Sequence, residues 1–344
     1  MARKCWLTLF GAALVAACVN GAEAPPGGAT PPPAKPKPPP LTFALTPETA
    51  GPDFAIQGEY AGKIGDAALG CDVVAFDKGR FRAVFFRGGL PGDDGFDEKS
   101  RTEVSGQSMS DLSAAGGTTT VFDGKWQAKI SGDTMTGKTD KGEDFSLKHT
   151  MRHSPTEGLK PPAGALVLFD GTNAEAWRPG RMDERNLLAY GAVSKQAFTN
   201  FTLHVEFIEP FMPGARDQAR GNSGVYLQDR YEIQVLDSFG TKERPNDCAG
   251  VYSQRAPQPN MTYPPLSWQT YDIDFQAAQW DGATRTKKAV ITIKHNGVVV
   301  VDQFEPNGNT PGRNKEAPGP GKIYLQDHGG DKVFFRNIWI VEKP

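Results

Sequence analysis

Glu232, Gln234 and Asp237 are the residues whose types and spacing best suit chemistry in this chain. They fall in Tyr231-Glu232-Ile233-Gln234-Val235-Leu236-Asp237, where alternation sends Ile233 and Val235 one way and Glu232 and Gln234 the other. A carboxylate beside an amide on one sheet face is costly to bury without a function. A one-residue bulge near Leu236 would bring Asp237 onto the same face. Two carboxylates in one row are what sugar-cleaving sheets use to protonate a leaving group and to attack or activate water. The plainer alternative is a solvated sheet face carrying ordinary surface acids.

Further side chains could complete such a site. His328 lies two residues beyond Gln326, so both would share a face just before the turn Gly329-Gly330. Its imidazole could move a proton either way near neutral pH. Gln228, Gln234 and Gln326 offer amides that donate to and accept from sugar hydroxyls. Tyr226 and Trp268 offer flat apolar faces for a pyranose ring, and Arg220 and Asn222 stand just before their strand, at the expected rim. Arg336 could instead neutralise a buried carboxylate.

Several classes of function are excluded or disfavoured. The five histidines include no HxH or HExxH pattern and no paired cysteines, so no dedicated metal site is expected. A divalent cation shared by Glu232, Asp237 and His328 is the one exception considered. No GxSxG nucleophile motif occurs. A formal charge of −2 gives no electrostatic case for nucleic acid.

The elements that must position these residues are strands. Gly (39) and Pro (28) are both abundant in the 344 residues, which suits many short strands and turns. Strands are expected at 201–207, 223–228, 231–236, 269–275, 289–295, 298–303, 322–326 and 332–341, with Asn296-Gly297 as the strongest hairpin signal. Seven segments occur in order across about 164–342: Leu168-Phe169-Asp170-Gly171, Asn222-Ser223-Gly224-Val225-Tyr226, Tyr231 to Asp237, Trp268-Gln269-Thr270-Tyr271-Asp272, His295-Asn296-Gly297, Leu325-Gln326-Asp327-His328-Gly329 and Phe335-Arg336-Asn337-Ile338-Trp339. Together they resemble the 3-keto-disaccharide hydrolase family, formerly a domain of unknown function. That resemblance implies a concanavalin A-like jelly-roll sandwich and action on glycosides whose glucose is oxidised at C3. It also implies removal of the C2 proton and elimination across C1–O, with Glu232 or His328 as base, Asp237 as acid, and Gln234 or Arg220 on the developing oxyanion. Ordinary hydrolysis by Glu232 and Asp237 and a glycan-binding jelly roll without catalysis are the alternatives.

The whole chain is therefore expected to be all-β, with the jelly roll at 164–344 preceded by a small antiparallel β domain at 42–153 of unknown role. Strand signals such as Arg80–Phe86 and Trp126–Ile130, with turns at Asp77-Lys78-Gly79 and Asp123-Gly124, point to a meander closing into a small sandwich or barrel. Residues 154–163 read as a linker. At the N-terminus, Arg3, Lys4 and the apolar run from Trp6 form an export leader (1–18) ending in Val15-Ala16-Ala17-Cys18, like a lipobox whose cysteine is lipidated. Cleavage after Ala24, or an uncleaved anchor, are the other options, and each exports the protein to the periplasm or cell surface. Residues 19–41 are proline-rich; the 16 residues from Pro25 would reach on the order of 50 Å as a stiff tether. Cys71 and Cys248 could pair, or be two buried thiols. The expected partner is a small glycoside, with membrane contact only through the lipid.

Overall fold

The computed structural model describes residues 42–110, 118–330 and 332–344. The leader, Cys18 and the proline-rich tether lie outside the described residues. Regular structure in the rest is nearly all antiparallel strand, joined by long loops and one short α-helix at Pro52–Ile56, and among the described residues no helix is long and apolar enough to cross a membrane.

The N-terminal strands close into an eight-stranded barrel in simple meander order, the first strand, Gly58–Ile64, pairing with both Ala67–Ala75 and Asp144–Thr150. Alternation explains it: along Gln127–Ser131 exposed and buried residues alternate without exception. Inward side chains, among them Tyr60, Cys71, Phe85, Phe122, Trp126 and Phe145, fill the interior, as expected at this strand number. The barrel is a packed core.

The C-terminal half is a two-sheet sandwich of jelly-roll type. One sheet has the order Trp177–Arg178, Ala192–Phe198, Gly321–Leu325, Ser223–Leu227, Tyr231–Val235. The other has the order Leu188–Ala189, Phe334–Lys343, Asn200–Ile208, Trp268–Gln276, Val290–His295, Val298–Phe304, with Leu166–Phe169 also on Phe334–Lys343. The late strand Gly321–Leu325 sits between two much earlier ones, a crossover that local sequence cannot announce. Leu203, Val205 and Phe207 of one sheet meet Val225, Ile233 and Val235 of the other in a single core. Each such fully buried side chain contributes about 1.5–3 kcal/mol. The hairpin at Asn296-Gly297 forms as expected, with both residues at positive φ (50° and 82°) and His295 opposite Val298.

Barrel and sandwich belong to one compact unit. Val74, Val84 and Phe86 on the barrel's outer wall are buried, and the loop at Gly240 fits there because a Cβ would come within 2.7 Å of Val74. Residues 154–163 are pinned to the sandwich rather than hanging free. Ser154 and Thr156 reach Thr270 at 2.6 and 2.7 Å, and the Leu159 carbonyl accepts from Trp339 Nε1 at 3.2 Å. Cys71 sits in the barrel core and Cys248 in the sandwich core, both as free thiols.

Candidate functional site

The outer face of the five-stranded sheet carries the site. Ile233 and Val235 enter the core, which turns Glu232 and Gln234 outward. Register then decides their neighbours. Glu232 stands opposite Tyr226, Gln234 opposite Gly224, and Tyr226 opposite Tyr324, so these residues share one face. Gln326, two residues past Tyr324, donates from Nε2 to the Tyr226 hydroxyl at 3.1 Å. The rings of Tyr226 and Tyr324 lie 5.4 Å apart.

Gly224 makes room for the acid: a Cβ there would fall 2.5 Å from Glu232 Oε1. The strand is held on its other edge as well. Glu232 N donates to Thr310 Oγ1 at 2.8 Å, and its carbonyl accepts from Tyr252 N at 3.0 Å. Arg313 stacks over Tyr324 at 4.0 Å while gripping Asp229 with two hydrogen bonds of 2.6 and 2.8 Å. A carboxyl group supported this closely keeps one orientation.

Burial decides its protonation. Glu232 is 3% exposed. Loss of water pushes its pKa up from 4.5 to about 7, although hydrogen bonds from Tyr226 and Gln326 pull the other way. No second carboxylate contributes to that rise. The Tyr226 phenol is itself pushed up by burial and by the neighbouring Glu232, which keeps it a proton donor. The Gln326 carbonyl oxygen is buried without a partner, a free acceptor beside the acid. The arrangement can take up or give a proton at neutral pH next to two neutral hydrogen-bonding groups.

Glu232, Tyr226, Gln326 and Gln234 thus come together. Gln234 serves as wall, with Nε2 donating to Gln218 Oε1 at 2.9 Å. Other expectations need correction. No bulge forms at Leu236. The strand ends at Val235, and Asp237 instead accepts from Arg220 Nε at 2.5 Å, against Gly221 rather than Gly224. Arg220 is likewise not at a rim. It is buried, and its other nitrogens donate to Ala75 O and Gln57 Oε1 of the barrel. Gln228 occupies the hairpin turn at φ 54°, its amide bonded to Phe198 O. Asn222 is buried and donates to Gln218 O at 2.8 Å. Trp268 belongs to the opposite sheet, where Arg336 covers its ring at 3.7 Å while also binding the buried Glu206. It cannot serve as a platform beside Glu232. His328 is exposed in the loop beyond Leu325, past the strand whose alternation placed it with Gln326. Asp237 is thus taken up by Arg220, and among the described residues no His, Cys, Asp and Glu cluster could hold a metal ion.

Tyr324, Thr310 and Arg313 were not anticipated. Tyr324 had a usable signal, its two-residue spacing from Gln326. Thr310 and Arg313 sit in an irregular loop that shows no periodicity.

Residues 164–341 match the family model of the 3-keto-alpha-glucoside-1,2-lyase-like domain. Three solved proteins from Parabacteroides distasonis, each provisionally named a glycosyl hydrolase, are similar in structure. One is 30% identical, with 54% of this chain and 86% of that chain covered at a TM-score of 0.49. The second is 18% identical over 53% and 94% with a TM-score of 0.40, and the third 19% identical over 52% and 99% with a TM-score of 0.35. No curated protein matches the chain.

Proposed function

The chain belongs to the 3-keto-alpha-glucoside-1,2-lyase-like family of glycoside-cleaving proteins, and from that premise we propose that it opens the glycosidic bond of 3-keto-glycosides by elimination at the Glu232 face. The observation that carries this reading is a single buried carboxyl with a pKa of about 7 and no second carboxylate influencing it. A ketone at C3 acidifies the C2 proton, so one well-placed base suffices. The Glu232 carboxylate removes that proton, and the C2–H electrons form the enolate. Tyr226 OH and the Gln326 amide donate to its oxygen. The enolate collapses to a C1–C2 double bond as the C1–O bond breaks, and the leaving oxygen takes a proton. Glu232, now a neutral acid, can return the proton it collected, which is why a pKa near 7 serves both halves of the step. Addition of water to the resulting enone would complete net hydrolysis. Two-carboxylate hydrolysis is less well supported, because Asp237 is bound to Arg220 away from Glu232.

The protein is further proposed to be exported and anchored through a lipid on Cys18, on the strength of the leader and the lipobox-like Val15-Ala16-Ala17-Cys18. Loss of labelled-lipid incorporation in Cys18→Ala would support this; unchanged labelling would refute it.

The function is tested by following the full chain by NMR in deuterated water with a glucoside and with its 3-keto derivative. Cleavage of the keto substrate alone, with loss or exchange of the C2 proton, supports elimination. Cleavage of the parent glucoside would favour ordinary hydrolysis. Binding of either without turnover, unchanged in Glu232→Gln, would make the protein a lectin.

A further inference from the structure

A cleft of about 350 Å³ opens where the barrel meets the sandwich, and the Glu232 chemistry does not account for it. Val74, Phe76 and Arg82 form its barrel wall, and Arg216, Arg220 and Arg244 approach from the sandwich. Four guanidinium groups face two lining carboxylates, Asp217 and Asp237.

Two of the four are already neutralised. Arg220 is held by Asp237 at 2.5 Å. Arg244 is held by Asp247 at 3.0 Å and by Asp217 at 3.2 Å. Arg82 is matched only loosely, by Glu103, and Arg216 by no carboxylate among the described residues. Arg82 Nη2 donates to Gly240 O at 3.2 Å, its Nε is buried without a hydrogen-bond partner, and the carboxylate of Glu103 stays 3.7 Å from Nη1. Arg216 donates only to the backbone carbonyls of Pro213, Ala215 and Phe76, and among the described residues no carboxylate pairs with it. Both guanidinium groups rest on the ring of Phe76, at 5.3 and 4.4 Å from its centre, so they lie no more than about 10 Å apart.

Positive charges brought together against a low-dielectric wall are unfavourable without a counter-charge. Their effect is visible in the site. Burial, with the charges of Arg101 and Arg220 at Arg82 and of Arg220 and Arg80 at Arg216, holds both below the ordinary arginine range, even though Glu103 and Asp72 at Arg82 and Asp77 at Arg216 pull the other way. A neutral sugar would not relieve that repulsion, whereas an oxyanion would, because the flat guanidinium fork matches two oxygens of a carboxylate, sulfate or phosphate. We propose that the cleft between barrel and sandwich is an oxyanion-binding site, with Arg82 and Arg216 as its ligands and Phe76 as the shelf that fixes them.

The site is physically linked to the Glu232 face. The chain leaving Val235 lines the cleft at Leu236, about 13 Å from Glu232 at ~3.3 Å per residue. Gln218, next to the cleft residue Asp217, accepts from Gln234 of the same strand. An acidic sugar of a glycoside could therefore span both places. That extension rests on the glycoside reading of the Glu232 face, whereas the anion site itself does not.

The test is calorimetric titration of the full chain with inorganic phosphate, sulfate and glucuronate, with glucose as the neutral control, at constant ionic strength. Saturable one-site binding of an anion is expected, with glucose silent. Arg216→Gln should weaken it about tenfold or more, and Arg216→Lys should retain part of it because charge survives while the fork is lost. Arg82→Gln provides a second deletion from the other wall. Thermal melting of each variant shows that the fold is intact. In Glu232→Gln the anion should bind as in the parent, which separates this site from the catalytic face. Absence of saturable anion binding overturns the proposal, as does binding that survives both arginine deletions or is lost in Glu232→Gln. Phosphate or sulfate binding without glucuronate supports the site and identifies a free inorganic anion; arginine-dependent glucuronate binding supports it and identifies an acidic sugar.

Discussion

Glu232→Gln should stabilise the protein, and the gain should depend on pH in a way that the structure sets. The Glu232 pKa rises from 4.5 to about 7 on folding because its carboxyl is stripped of water, and at about 1.36 kcal/mol per pH unit this amounts to about 3 kcal/mol. The sign follows from proton binding. Between pH 4.5 and about 7 the folded state holds a proton that the unfolded state has released, so wild-type stability falls as pH rises through that window. Glutamine never ionises and escapes the loss. Its altered hydrogen bonding adds an offset that is the same at every pH. The stability difference between variant and wild type should therefore grow by about 2.5 kcal/mol from pH 5 to pH 8, read from urea denaturation of both proteins at each pH. All other titrating groups are common to the pair and cancel. A difference that stays flat within about 0.5 kcal/mol would refute the claim that Glu232 is held near neutrality, and with it the single-base scheme. Because the base acts ionised, kcat/KM on a 3-keto-glycoside should climb as pH rises through about 7.

Gly224→Ala would drive a methyl group to 2.5 Å from Glu232 Oε1, so turnover should fall about 100-fold while circular dichroism remains that of a folded protein. Asp237→Asn strips the buried Arg220 of its counter-charge and should cost about 3–5 kcal/mol of stability, while the folded fraction keeps its kcat within about twofold. A catalytic Asp237 would give the reverse pattern. Trp268→Ala should leave KM unchanged within about twofold but lower stability by about 1–3 kcal/mol, since the ring lies beneath Arg336 on the far sheet and not beside Glu232.

Short-range features of the fold were legible in the chain. The strand at 231–235 and its outward pair Glu232 and Gln234 follow from alternation, and the turn at Asn296-Gly297 follows from the positive φ those residues tolerate. The N-terminal meander suggested by its Asp and Gly turns, left open between sandwich and barrel, closes as a barrel. Sterics between nearest neighbours decide the strand and the turn, so the order of residues carries them, whereas closure of the barrel needs Gly58–Ile64 to meet Asp144–Thr150. The partners of Asp237 could not be read in the same way. Its spacing from Glu232 suited a bulge, yet a buried carboxylate goes to the nearest buried cation, and Arg220 reaches it only because the barrel's Ala75 and Gln57 hold the guanidinium in place. Trp268 was misplaced for a related reason, since which of two sheets a strand joins depends on pairings such as that of Trp268 with Ile208, far away in the chain. Sequence alone determined the strand at 231–235, the Asn296-Gly297 turn and the outward direction of Glu232. Tertiary structure decided which carboxyl stands alone, because burial and charge pairing depend on what the rest of the chain brings within a few ångströms.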